Sequence, residues 1–270
     1  MFRNNLIAAF VLAIATGLAA QMPDKIAVKF SNPERPGLLQ AELVHGSITV
    51  KGYDGNEVTV EASNRSRKVM HPPESKRGMI RLNQVTTGLT VTEEDNEISI
   101  NTGSHMRAVD LVIQVPRKTS LQVSTVNDGD IHIEGVDGEI EANNVNGEIK
   151  IVNVSGTVLS NTTNGDVTVT LNRVTPDKPM SFVSFNGDVD VTLPGTVKAD
   201  VKLKSERGEI YSDFDIALEE RVRTTKEDNR NEGGRFQLSI ESAMYGKING
   251  GGPEFHFSTF NGEIYIRKAK

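Results

Sequence analysis

Apolar and polar residues alternate along most of this chain, in short runs that each follow a glycine. Ile131 and Ile133 flank His132, Ile149 and Ile151 flank Lys150, and Val167, Val169 and Leu171 flank Thr168 and Thr170. A period of two sends successive side chains to opposite faces, so each run predicts a strand with one buried face. Before each run stands a polar turn residue, then Gly, then usually an acid. The copies are Asp128-Gly129-Asp130, Asp137-Gly138-Glu139, Asn146-Gly147-Glu148, Ser155-Gly156-Thr157 and Asn164-Gly165-Asp166. Asn-Gly and Asp-Gly suit turns that need φ > 0, which places a corner ahead of each strand. Looser copies begin at Asn186-Gly187-Asp188, Arg207-Gly208-Glu209 and Asn261-Gly262-Glu263. Helical periodicity is missing almost everywhere after the first residues, and the predicted class is all-β.

Gly129, Gly138, Gly147, Gly156 and Gly165 recur every nine residues. A fixed period means stacked repeats. Two nonamers, each a strand and a corner, make one coil of a single-stranded parallel β-solenoid with about 18–22 residues per coil. Gly165, Gly187 and Gly208 lie 22 and 21 residues apart, which reads as further successive coils carrying loop insertions. The alternative is a sandwich of hairpins, which the even glycine spacing disfavours. The stretch from Phe30 to Val60 also reads as strands, with His45-Gly46-Ser47-Ile48-Thr49-Val50 opening a variant repeat. An open solenoid end exposes its apolar column, so both ends need caps. Gly233 to Ile266, holding Phe236, Tyr245, Phe255, Phe257, Phe260 and Tyr265, is the expected C-terminal cap.

The first residues predict export. Arg3 precedes an apolar stretch from Leu6 to Leu18, and small residues at Gly17, Ala19 and Ala20 precede Gln21. That is the layout of a secretory signal peptide over 1–20. A membrane anchor is the alternative, but the apolar stretch is shorter than the roughly 20 residues a span needs. The mature chain, 21–270, is then expected to be one elongated solenoid domain, periplasmic or extracellular, with no transmembrane span. It contains no Cys, so neither a lipid-anchored cysteine nor a disulfide is available. Loss of Arg3 moves the formal charge from −6 to −7, which argues against a nucleic-acid partner. Two excursions interrupt the strands, one over 65–81 and one over 219–234, the latter expected as a mobile loop or a short helix. The first gathers Arg65, Arg67, Lys68, Lys76, Arg77 and Arg81, a candidate electrostatic contact for an anionic lipid or envelope polymer.

Val109 to Leu171, and the ending Phe257-Ser258-Thr259-Phe260-Asn261-Gly262-Glu263-Ile264-Tyr265-Ile266-Arg267, resemble the bacterial putative-adhesin family of β-strand-repeat proteins of unknown function. The resemblance covers most of the mature chain. It implies an exported β-solenoid, with right-handed winding as the expectation, and it supplies no catalytic motif.

Candidate chemistry is sparse. The acids after glycine (Asp130, Glu139, Glu148, Asp166, Asp188, Glu209 and Glu263) could form columns along the solenoid edges. Calcium favours several oxygen ligands, yet the second glycine and second acid of the calcium-binding nonamer are missing, so a solvated edge is the plainer expectation. Asp128 with Asp130, and Asp188 with Asp190, have glycosidase-like proximity, which a repeat produces everywhere. His45, His71, His105, His132 and His256 are scattered without metal spacing. No cofactor motif is present. The expected function is a non-enzymatic, adhesin-like surface contacting an envelope or cell-surface protein or polysaccharide. The alternatives are a periplasmic structural or stress-related scaffold and, less favoured, a carbohydrate-active β-helix enzyme.

Overall fold

The glycine-led alternation does fold as strands. The computed structural model describes residues 24–65, 87–103, 107–219, 224–228, 236–240 and 243–270, and these contain strands and no helix. The N-terminal strands are β1 (Asp24–Lys29), β2 (Leu38–His45), β3 (Ile48–Tyr53), β4 (Glu57–Asn64), β5 (Leu89–Glu94), β6 (Glu97–Thr102) and β7 (Val109–Pro116). The nine-residue region gives β8 (Ser120–Asn127), β9 (Ile131–Glu134), β10 (Asp137–Asn146), β11 (Ile149–Asn164) and β12 (Val167–Val174). There follow β13 (Met180–Asn186), β14 (Val189–Leu193), β15 (Ala199–Ser205), β16 (Ile210–Ser212) and β17 (Ile216–Glu219). The last are β18 (Thr224–Asp228), β19 (Phe236–Ile240), β20 (Met244–Ile248), β21 (Glu254–Thr259) and β22 (Ile264–Lys268).

Pairing arranges them in two rows. One row reads β5-β6-β2-β8-β10-β11-β13-β21-β15-β20-β17. The other reads β1-β4-β7-β3-β9-β11-β12-β14-β22-β16. β11 serves both, bending at Asn153 (φ 55°) and Gly156 (φ 123°), so the rows form one 20-stranded sheet. Inward side chains of both rows merge into one core, where Ile131, Ile133, Ile149, Ile151, Val167 and Val169 are fully buried.

The two-nonamer coil holds. A Cβ on Gly147 would sit 2.1 Å from the Gly129 carbonyl oxygen, and one on Gly165 2.2 Å from that of Gly147. Gly156 stacks in the same way on Gly138 at the opposite corner. Backbones this close leave no room for a side chain, which is why only glycine fits.

Three expectations are corrected. The pairing is not parallel throughout: β1–β4, β4–β7 and β5–β6 at one end, and β15–β20 and β17–β20 at the other, are antiparallel. These antiparallel strands cover the coil ends. Second, coils do not stack in chain order. β2–β3 lies between β6–β7 and β8–β9, and β21–β22 lies between β13–β14 and β15–β16. Gly187 therefore meets Gly262, and Gly262 meets Gly208, so Gly187 and Gly208 are not neighbours. The cause is the repeat itself: Phe255, Phe257, Ile264 and Ile266 present the same inward pattern as any other coil, so the ladder accepts them at an interior position. Residues 254–266 are core rather than cap. Third, part of the 219–234 excursion is neither loop nor helix, since β18 pairs antiparallel with β19 in a separate two-stranded sheet. Residues 1–20, where a signal peptide is expected, lie outside the described residues, among which no helix is long and apolar enough to cross a membrane.

Candidate functional site

The corner that holds Gly46, Gly129, Gly147, Gly165, Gly187, Gly262 and Gly208 concentrates the polar chemistry of the molecule. Just inside it, a buried or half-buried polar side chain from most coils donates to the glycine carbonyl of the neighbouring coil, while the β2 coil has Leu43 at this position. Thr125 Oγ1 donates to Gly46 at 2.8 Å, Thr162 Oγ1 to Gly147 at 3.0 Å and Ser184 Oγ to Gly165 at 2.8 Å. Thr259 Oγ1 donates to Gly187 at 2.8 Å and Ser205 Oγ to Gly262 at 3.0 Å. Asn144 alone in this row uses an amide, donating to Gly129 at 3.0 Å. Sequence reasoning missed this row. Its signal is a Ser, Thr or Asn three residues before the glycine (four for Thr125 and Gly129), at an inward position where apolar residues otherwise stand.

Outside it runs a ladder of asparagine amides. Asn146 donates to Asn127 at 2.9 Å, Asn164 to Asn146 at 2.8 Å, Asn186 to Asn164 at 2.8 Å and Asn261 to Asn186 at 2.7 Å. Three of the acids after glycine are also committed. Asp130 Oδ1 accepts the Glu148 N–H at 2.9 Å, Asp166 Oδ1 that of Asp188 at 2.8 Å, and Asp188 Oδ1 that of Glu263 at 2.8 Å. A carboxylate that accepts a backbone N–H from the next coil acts as a rivet between coils. Among the described residues no cluster of His, Asp and Glu is placed to hold a metal ion. Glu139 does not join this row: it follows Gly138 at the opposite corner.

Arg65 closes the N-terminal end of the corner. Its Nε donates to Asp110 Oδ2 at 3.0 Å and its Nη2 to Ser47 Oγ at 2.9 Å, with further short contacts to Asp110 Oδ1 and the Asp128 carbonyl. Hydrogen bonding to Asp110 raises the guanidinium pKa above its ordinary value, so the charge is permanent and held in place. Arg65 is thus a clasp. Arg67, Lys68, Lys76, Arg77 and Arg81 lie outside the described residues. Asp128 approaches His45 Nδ1 at 3.4 Å, and Asp190 accepts from Arg267 Nε at 2.8 and 2.9 Å. The two aspartate pairs weighed for glycosidase chemistry are therefore bound up in corner and cross-coil contacts.

One row faces solvent. Val44, Val126, Val145 and Phe185 are all exposed, Phe185 to 48 %, and the register aligns them through Thr163 with Phe260. The Phe185 and Phe260 rings stack with centroids 4.8 Å apart and planes 4° from parallel, and the Arg207 guanidinium lies 5.3 Å over Phe260. A contiguous exposed apolar row marks a contact surface more often than isolated exposed side chains do. On the second row's outer face Tyr211 stacks on Tyr265 at 5.4 Å. The Tyr265 hydroxyl donates to Glu263, which pushes its pKa up to about 12.

No curated protein matches this chain. Among solved structures, a putative cell adhesion protein from Clostridium sporogenes is similar at 12 % identity, TM-score 0.42, covering 92 % of this chain and 100 % of that one. A putative adhesin from Bacteroides fragilis is similar at 11 % identity, TM-score 0.40, covering 93 % and 98 %. A putative lipid binding protein from Parabacteroides distasonis is similar at 9 % identity, TM-score 0.25, covering 92 % and 97 %. The Toastrack DUF4097 family model matches over residues 125–242, which takes in the regular glycine corner. That stretch of the chain is similar to the Toastrack family.

Proposed function

We propose that this protein is exported through its N-terminal segment and works without catalysis, presenting its glycine corner to a component of the cell envelope or cell surface. The observation that carries this reading is the exposed row Val44, Val126, Val145 and Phe185, continued by the half-buried Phe260 and held in line by the amide ladder beside it. Hydrogen bonds and buried columns fix every coil, so the row is rigid and loses little entropy when a partner covers it. Right-handed winding belongs to the same reading, because crossovers between parallel strands take that hand in nearly all cases. The partner is a surface protein or polysaccharide, reached outside the cell. Co-sedimentation of the purified protein with isolated envelopes tests the row. Val126→Ser with Phe185→Ser should abolish sedimentation while leaving the fold intact. Unchanged sedimentation of that variant overturns the assignment of the row.

A further inference from the structure

A second surface lies away from the glycine corner, where the first-row strands begin. Leu38, Ser120, Glu139 and Thr157 share one register line across β2, β8, β10 and β11, and Glu97 of β6 extends it. On the next line Glu141 of β10 stands beside Leu159 of β11. These residues floor an open groove of about 550 Å³, with Asp95 and Glu97 towards one end and Glu139 and Glu141 towards the other. That volume falls in the range of small-molecule sites.

Three features define what fits. The first is charge: the groove brings four carboxylates together, and the cation found against them is Lys178, whose ammonium pairs with Glu139. The second is the floor, where Thr157 is only 8 % exposed and its Oγ1 has no hydrogen-bond partner. A buried hydroxyl left unpaired is costly, and a ligand donor lying in the groove relieves it. The third is apolar: Leu159 is exposed on the same floor. The acids are too spread out for one ion, since Glu97 and Glu139 are three ladder steps apart, about 14 Å at the usual strand spacing. A ligand whose positive charges are distributed along a chain spans that distance.

We propose that the groove binds a linear aliphatic polyamine. Ammonium groups pair with Asp95 and Glu97 at one end and with Glu139 and Glu141 at the other. The methylene stem lies along Leu159, and an ammonium donates to the Thr157 hydroxyl. Lys178, itself an alkylammonium, already makes one such contact from within the chain. This site is separate from the glycine corner and does not depend on the function assigned to it.

Calorimetric titration of the purified protein at low ionic strength tests the site with three probes: spermidine, a trilysine peptide and magnesium chloride. Spermidine should bind saturably and one to one, more tightly than magnesium. Glu97→Gln with Glu141→Gln should weaken it at least about tenfold, the loss of charge-assisted hydrogen bonds. Thr157→Val should weaken it severalfold while thermal stability is kept or raised, and Lys178→Gln should tighten it by freeing Glu139. Spermidine binding that is equal in the double variant, or no tighter than that of magnesium, overturns the proposal. Tighter binding of trilysine than of spermidine overturns the assignment to a free polyamine.

Discussion

Asn144→Thr should stabilise the protein, although it removes a hydrogen-bonded amide from the core. In every other coil with such a donor a hydroxyl donates to the glycine carbonyl, at 2.8–3.0 Å. Asn144 supplies the same donation through Nδ2 at 3.0 Å, with a longer contact to the Glu148 carbonyl at 3.4 Å. Its Oδ1, however, is buried without a partner. An unsatisfied buried acceptor costs about 1–3 kcal/mol. Threonine keeps the donor, removes the orphan and suits a strand. The Glu148 carbonyl loses little, because it already accepts the Ile131 N–H at 2.9 Å. A net gain of about 1 kcal/mol is expected after imperfect repacking, or about 2–4 °C in Tm for a chain of this size. Thr162→Val, which removes a donor from the Gly147 carbonyl, should move the other way by about 1–2 kcal/mol. Urea unfolding of the three proteins measures both, with unchanged m-values as the check that midpoints report stability. If Asn144→Thr destabilises as much as Thr162→Val, the orphan acceptor has a partner and the reasoning fails.

Other outcomes follow from the same geometry. Gly165→Ala sets a Cβ 2.2 Å from the Gly147 carbonyl at φ +147°, with only backbone to move, so a loss above about 4 kcal/mol is expected and failure to reach a soluble native state would report it. Phe257→Ala should cost about 3–5 kcal/mol in denaturant unfolding, because the ring is fully buried on an interior coil against Phe182 at 5.1 Å; a loss under about 1 kcal/mol would place residues 254–268 at an end. Burial holds the His132 pKa below 6.5, so the unfolded chain takes up that proton first as pH falls through 6.5. Stability should therefore decline below pH 6.5 and recover above it, and His132→Gln should flatten that part of the pH profile. Millimolar calcium should raise Tm no more than magnesium, since Asp130, Asp166 and Asp188 already accept backbone N–H groups; a calcium-specific rise would contradict their role as rivets.

Local structure was legible because it is local. The alternation around His132, Lys150 and Thr168 and the glycine period carry strand, face and corner in a few residues each. Coil order was not legible, because Phe255-His256-Phe257 and Ile264-Tyr265-Ile266 present the inward pattern of every other coil. Only their pairing with β13 and β15 shows that a distant segment fills the gap between Gly187 and Gly208. The corner acids were visible as a column, but whether a carboxylate meets solvent, metal or a backbone N–H depends on the neighbouring coil. Arg65 was singled out as a contact for an outside anion, whereas Asp110, 45 residues away, takes its charge. The groove was not legible because Asp95, Glu97, Glu139 and Glu141 come from two strands and a turn that meet only after stacking.

Protease shaving of intact producing cells tests the central claim most directly, with an antibody against the mature chain and a known periplasmic protein as control. Digestion of this protein while the control survives is the result expected of a surface-presented corner. Protection until the envelope is opened would contradict contact with the cell exterior and leave a periplasmic scaffold as the function to pursue.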